Sequence, residues 1–255
     1  MPLIRDQAVV LRRLDYSETS QVLILFTRHH GKARAIAKGI KRSTKRRFAT
    51  AIDLLEVGHV TLSARTARPQ ELATLTEWKS GKPLSALREK LPRLYAAQYA
   101  AEITAGMTED WDPHQRLYDA LCALLDNLCD LDQPLEAVLA FMTVLLTEVG
   151  SLPQFERCAG CGRAADKRSA RGGLFFSSHQ GGLLCRDCEP AYVEKRSLSP
   201  AVLEVLRGRP APNAGATTGA FDLLNYHLAH LMGRAPLLAD KVRPPQSRRP
   251  AAPGK

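Results

Sequence analysis

Four cysteines constrain this chain more than any other feature. They stand as Cys158-x2-Cys161 and Cys185-x2-Cys188, with 23 residues between the pairs. Two residues between thiols let one turn of chain aim both sulfurs at a single centre, and Gly160 and Gly162 relieve the tight backbone there. Four thiolates in tetrahedral reach are what structural zinc takes, so Cys158, Cys161, Cys185 and Cys188 are expected to hold one Zn2+. An iron–sulfur cluster uses the same set, and spacing alone leaves it open. The segment from Gly172 to Leu184 reads as a β-hairpin between the pairs, the layout of a zinc ribbon. An all-thiolate shell leaves no position for a reactive water, which predicts a structural metal and no catalytic residue. Disulfides are disfavoured, because Cys122 and Cys129 fall on a leucine-rich helical stripe, where free thiols act as small apolar groups.

The rest of the chain changes period twice. Ala8 to Leu14, Gln21 to Thr27, Lys32 to Lys38, Ala51 to Val57, His59 to Arg65 and Leu72 to Lys79 are short β-prone runs. Turn signals separate them at Asp15-Tyr16-Ser17, His30-Gly31, Lys38-Gly39 and Val57-Gly58. Five or six short strands without helices predict a small barrel or sandwich, OB-like or SH3-like. From residue 81 the apolar period becomes helical. One helix is expected around Leu94 to Gly106 with Pro92 near its start. Two more carry Leu117 to Leu131 and Leu135 to Val149, joined through Asp132-Gln133-Pro134. After the cysteines, Ser199-Pro200 caps a helix that stops at Gly208, and a last helix carries Phe221, Leu224, Leu228 and Leu231. These shifts predict an α+β chain: a basic barrel over 1–80, a helical domain over 81–157 and 197–242, a four-cysteine module inserted at 158–196, and a disordered tail over 243–255.

Charge is segregated in the same way. Residues 1–80 carry a net +8, residues 81–155 a net −6, 156–196 a net +3 and 197–255 a net +5. Between Arg28 and Arg47 lie nine cations and no acid: Arg28, Lys32, Arg34, Lys38, Lys41, Arg42, Lys45, Arg46 and Arg47. Period two puts Lys32, Arg34 and Lys38 on one face of a strand and Ala33, Ala35 and Ala37 on the other. A basic strand running into a basic loop is the groove a phosphate backbone needs. These nine, with Lys195 and Arg196 after the cysteine module, are the expected nucleic-acid contacts. Few aromatics lie nearby (Tyr16, Phe26 and Phe48), which predicts little stacking and weak sequence preference.

Several classes are excluded. The longest near-apolar run, Val138 to Leu146, is far short of the ~20 residues a membrane span needs. Met1-Pro-Leu-Ile-Arg-Asp6 lacks a basic segment followed by an apolar stretch, so no signal peptide is expected and the chain reads as cytoplasmic. No H-E-x-x-H, glycine–lysine phosphate loop, G-x-G-x-x-G, G-x-S-x-G or His-x-Glu deaminase pattern occurs. A non-enzymatic binding protein is the expectation. Its rivals are an RNA-binding zinc-ribbon protein of translation or transcription, since a barrel does not choose DNA over RNA by fold, and a metal-dependent enzyme acting on nucleic acid.

Ala8-Val-Val-Leu-Arg-Arg-Leu-Asp-Tyr16-Ser-Glu18, Phe26-Thr27, Gly31 and Ala37-Lys38-Gly39 with its basic continuation resemble the bacterial RecO family of recombination mediators. The order of modules is similar too. The resemblance implies an OB-fold barrel, a helical domain with an inserted zinc ribbon, and the four cysteines as zinc ligands. It implies binding to single- and double-stranded DNA and annealing of complementary strands without nucleotide hydrolysis. It further implies partnership with RecR, action on strands coated by single-stranded DNA-binding protein (SSB), and help in loading RecA, with the protein at the nucleoid. In related proteins the SSB tail docks on the helical domain, where Arg88, Lys90 and Arg93 are the candidate contacts.

Overall fold

A computed structural model describes residues 3–39, 52–64, 71–165 and 173–244. Five strands form a closed barrel: β1 (Leu3–Asp15), β2 (Gln21–Thr27), β3 (Gly31–Ala37), β4 (Val57–Ser63) and β5 (Ala73–Ser80), in the order β1-β2-β3-β5-β4. All neighbours are antiparallel except β3 and β5, which run parallel through Ala35–Ala73 and Ile36–Thr74. Small residues let the barrel close. Ala33 lies opposite Leu25 and Ala35 opposite Leu23, so each large inner side chain of β2 meets a methyl group. A bulge between Val10 and Arg12 bends β1 so that it pairs with β4 in its first half and β2 in its second.

Two details depart from the sequence pattern. The run Ala51 to Val57 is not a strand: Ile52 to Glu56 forms a turn before β4, and Ala51 lies outside the described residues. Asp53 dictates this, accepting from the Leu54 backbone N–H at 2.8 Å, while Asp53 N–H donates to Glu56 Oε1 at 3.1 Å. Ile52 still enters the barrel core. Gly58, expected in a turn, sits inside β4 opposite Ala8 and Ser80. A Cβ there would come within 2.6 Å of the Lys79 carbonyl, so this glycine serves close packing.

The helices are α1 (Leu91–Met107), α2 (Gln115–Leu128), α3 (Leu135–Glu148), α4 (Pro200–Leu206), α5 (Ala214–Met232) and the short α6 (Ala239–Val242). Ser199 caps α4 by accepting from Val202 N–H, and Asn213 caps α5 by accepting from Ala216 N–H. Gly233, in the left-handed region, ends α5. Among the described residues the helices share one core, which includes Tyr99, Leu121, Met142, Phe221 and Leu224. Both helical stretches therefore fold as one unit. Arg243, expected to open the tail, is tied to α5 by a 2.6 Å ion pair with Asp222; residues 245–255 lie outside the described set.

Between α3 and α4 lies a four-stranded sheet of β6 (Gln154–Cys158), β7 (Leu174–Ser177), β8 (Gly182–Cys185) and β9 (Arg196–Leu198), in the order β6-β8-β7-β9. β7 and β8 are the expected hairpin, paired from Leu174–Cys185 to Ser177–Gly182. Phe155, Phe176, Leu183 and Leu198 join the helical core, so one side of this sheet is buried by the domain that carries it. Only Cys158, Leu184 and Cys185, with Phe175, Cys188 and Tyr192 against them, form a separate small cluster.

A four-cysteine cluster and a half-covered barrel face

The cysteine sulfurs all lie within 4.8 Å of one another. Cys161 and Cys185 are 3.8 Å apart, the spacing of two thiolates on a tetrahedral metal with bonds of about 2.3 Å. The backbone prepares the site. Cys185 N–H donates to Cys158 Sγ at 3.3 Å, and a Cβ on Gly160 would touch Cys188 Sγ and the Tyr192 hydroxyl. Burial raises the Cys158 thiol, but N–H donors from Cys185, Cys161 and Gly160 outweigh it and bring the group to about 6. Cys188, hydrogen-bonded to Cys185 and Cys161, is pushed up to about 12. Four sulfurs crowded in this way want a cation, and the donor set suits a soft tetrahedral ion.

Sequence reasoning missed the polar joint that fastens this module to α5. Glu194 accepts from Ser177 Oγ at 2.7 Å, from the His179 and Ser178 N–H groups, and from the Tyr226 hydroxyl. Burial raises its carboxyl, yet these donors hold it at about 2. His227, buried, makes a 2.6 Å hydrogen bond with Ser178 Oγ and a 3.0 Å one with the Ser151 carbonyl, and burial lowers its pKa. Nothing local in the sequence marks these pairs, which join positions 15 to 76 residues apart.

The cationic strand has a different fate. Its outer face forms three rungs with β1 and β2: Val9–Phe26–Lys32, Arg12–Ile24–Arg34 and Leu14–Val22–Ile36. The first rung is covered by the helical domain, since Val9, Leu11 and Phe26 belong to its core. Lys32, expected to contact nucleic acid, is only 15% exposed and donates to the Ala105 and Thr108 carbonyls at the C-terminal end of α1. A cation there satisfies orphan carbonyls and the negative end of the helix dipole. Lys32 thus joins the barrel to α1. Its backbone accepts from Trp111 N–H at 2.8 Å. Next to it Gly31, at φ +73°, has Asp112 backbone where a Cβ would stand.

Arg34 pairs with Asp110 at 2.9 Å and Arg28 with Asp119 at 3.0 Å, both keeping part of their guanidinium in solvent. Lys38 is exposed. Lys41, Arg42, Lys45, Arg46 and Arg47 lie outside the described residues. Lys195 is held by Glu189, through its carboxylate at 2.5 Å and its carbonyl at 3.0 Å. Arg196 stacks on the Tyr226 ring, 3.8 Å from its centroid. On the helical domain, Arg93 is buried and donates to the Cys129 and Leu131 carbonyls, just past the C-terminal end of α2. Lys90 pairs with Asp132 at 2.6 Å and Arg88 with Asp53 at 2.8 Å. Of these three, Arg88 alone lines the groove of about 1010 Å3 between the barrel and α1, beside Arg12, Arg13 and Arg234.

An OB-ordered barrel fused to a helical domain that carries a four-cysteine knuckle defines the class: a binding protein built on an oligonucleotide-type barrel. The comparisons narrow it. Residues 1–83 match the family described as Recombination protein O N terminal, and residues 88–236 match Recombination protein O C terminal. A DNA repair protein RecO of Rhodopirellula baltica is 34% identical over 200 residues, covering 78% of this chain and 72% of the relative. DNA repair protein RecO of Anaeromyxobacter sp. (strain K) is 32% identical over 247 residues, 92% of this chain and 93% of its own length. The Myxococcus xanthus protein of that name is 33% identical over 240 residues, 90% and 92%. The chain belongs to the RecO family.

Proposed function

We propose that this protein acts in recombinational DNA repair. It binds single- and double-stranded DNA, anneals complementary strands without a nucleotide cofactor, and with RecR places RecA on strands coated by SSB. The observation that carries the reading is the surplus of cations on the barrel. The helical domain and its acids engage Arg28, Lys32 and Arg34, while Lys38 is exposed and runs into Lys41, Arg42, Lys45, Arg46 and Arg47 with no acid among them. Two DNA strands repel each other. Holding both on one cationic surface releases their counterions and lowers the barrier to pairing, and no bond has to break. Arg28, Lys195 and Arg196 are further contacts in this reading.

The four cysteines hold one structural Zn2+, which supplies cross-linking of the knuckle and no reactive water. Cys158 and Cys185 tie it to β6 and β8, and Cys161 and Cys188 close the shell. The barrel domain, the helical domain and the zinc module are the functional units, and the protein works in the cytoplasm at the nucleoid. An annealing assay with SSB-coated complementary strands, run with and without nucleotide, tests the reading. Acceleration independent of nucleotide is expected, and failure to anneal or to bind either strand would refute it.

A further inference from the structure

Where the helical domain stops, the outer barrel face turns apolar. The last rung is Leu14–Val22–Ile36, where Val22 and Ile36 are partly buried and Leu14 is 42% exposed. Tyr16, two residues on, is 70% exposed in the loop that follows β1. Leu72, 45% exposed, precedes Ala73, the partner of Ala35 on the neighbouring strand. Cations frame this patch: Arg12 and Arg34 on the rung below, and Lys38 at the end of β3. Asp110 pairs with Arg34, and Asp15 at the end of β1 accepts from Gln21 Nε2 at 3.2 Å, which leaves Arg12 and Lys38 as the cations on offer. An exposed aromatic residue next to an aliphatic rung, with a cation on each side, matches an unpaired nucleotide: a flat apolar base with an anionic group at each flank.

We infer that Tyr16, two residues beyond the Leu14–Val22–Ile36 rung, seats an unpaired nucleobase whose flanking phosphates meet Arg12 and Lys38. The inference rests on the DNA-binding reading and adds to it a stacking seat, where the sequence predicted little stacking. It also predicts a preference. A base in a duplex hides its face in the stack, so only a single strand can use the seat, while both forms can meet the cations of residues 38–47. Coverage of the Lys32 rung by α1 limits the seat to the open end of the barrel.

The test compares the full chain with Tyr16→Ala and Tyr16→Phe on three probes: a short oligothymidylate, an abasic oligomer with the same phosphates, and a duplex. Tyr16→Ala is expected to weaken oligothymidylate binding about tenfold, with the abasic oligomer and duplex unchanged. Tyr16→Phe keeps the ring and should bind as the parent does. Equal losses on all three probes, or no loss on oligothymidylate, would overturn the seat while leaving the DNA-binding reading in place. Failure of the parent chain to bind any of the three would end both. Tyr16 is exposed, so the substitution spares the fold.

Discussion

The cysteine module and the basic strand β3 carry the two clearest signals in the sequence; both fold as their residues predict, but the helical domain engages part of the second. Thiolate spacing is a short-range code: two residues between ligands fix where both sulfurs point, and a hairpin brings the second pair across. A cation on a strand carries no such address. Period two correctly places Lys32 and Arg34 outside the barrel, with Ala33, Ala35 and Ala37 inside. What lies outside is decided by a helical domain some 70 residues further on, whose α1 terminus offers carbonyls to Lys32. Charge runs thus predict a surface, and tertiary packing decides which part of it stays free.

The largest effect expected from this contrast belongs to the cysteines. Replacing Cys158 with Ser should release the metal and lower the melting temperature of the helical domain, whose core includes Phe155 and Leu183 of the same sheet. Metal content by mass spectrometry should fall from about one ion per chain to none. Retained metal and unchanged melting would break the link between spacing and fold.

Gly31→Ala should come next. Left-handed backbone alone costs about 1 kcal/mol for a residue with a side chain, and the clash with Asp112 adds to it. Urea unfolding should therefore show a loss of at least about 2 kcal/mol. A neutral result would mean that the barrel and the α1–α2 connection do not meet as described.

Acid should loosen the joint between the cysteine module and α5. His227 has a folded pKa below its unfolded value, so the unfolded chain binds more protons and stability falls as pH drops through about 6.5. Glu194, at about 2 when folded against 4.5 unfolded, adds a loss that begins near pH 4.5. Hydrogen exchange in β7 and α5 as pH is lowered from 7 to 4 reads both. Substituting Gln for His227 should flatten the upper part of the profile.

Lys32→Met gives the smallest functional change and the sharpest division between roles. It should cost about 1–2 kcal/mol of stability through two orphaned carbonyls and leave DNA affinity and its salt dependence untouched. Lys38→Ala should do the reverse.

Much of the architecture is legible in the residues. The barrel strands, the α2–α3 hairpin, the Ser199-Pro200 cap and the hairpin of the cysteine module follow from local pattern. Gly58 misleads, because a glycine for close packing and a glycine for a turn look alike in one dimension. Lys32, Arg93 and Lys195 mislead for a different reason: each caps backbone carbonyls that only the folded chain brings near. The Glu194–Tyr226 and His227–Ser178 contacts were invisible because no spacing rule links residues so far apart.

Lys38, Lys41, Arg42, Lys45, Arg46 and Arg47 are proposed to carry the DNA. The slope of log affinity for single-stranded DNA against log salt, compared between Lys32→Met and a chain with Lys41, Arg42, Lys45, Arg46 and Arg47 all changed to Ala, tests this most directly. An unchanged slope is expected for Lys32→Met and a slope shallower by about 3.5 for the fivefold variant, at about 0.7 per phosphate contact. A fivefold variant with the parent's slope, or a Lys32→Met chain that loses its salt dependence, would contradict it.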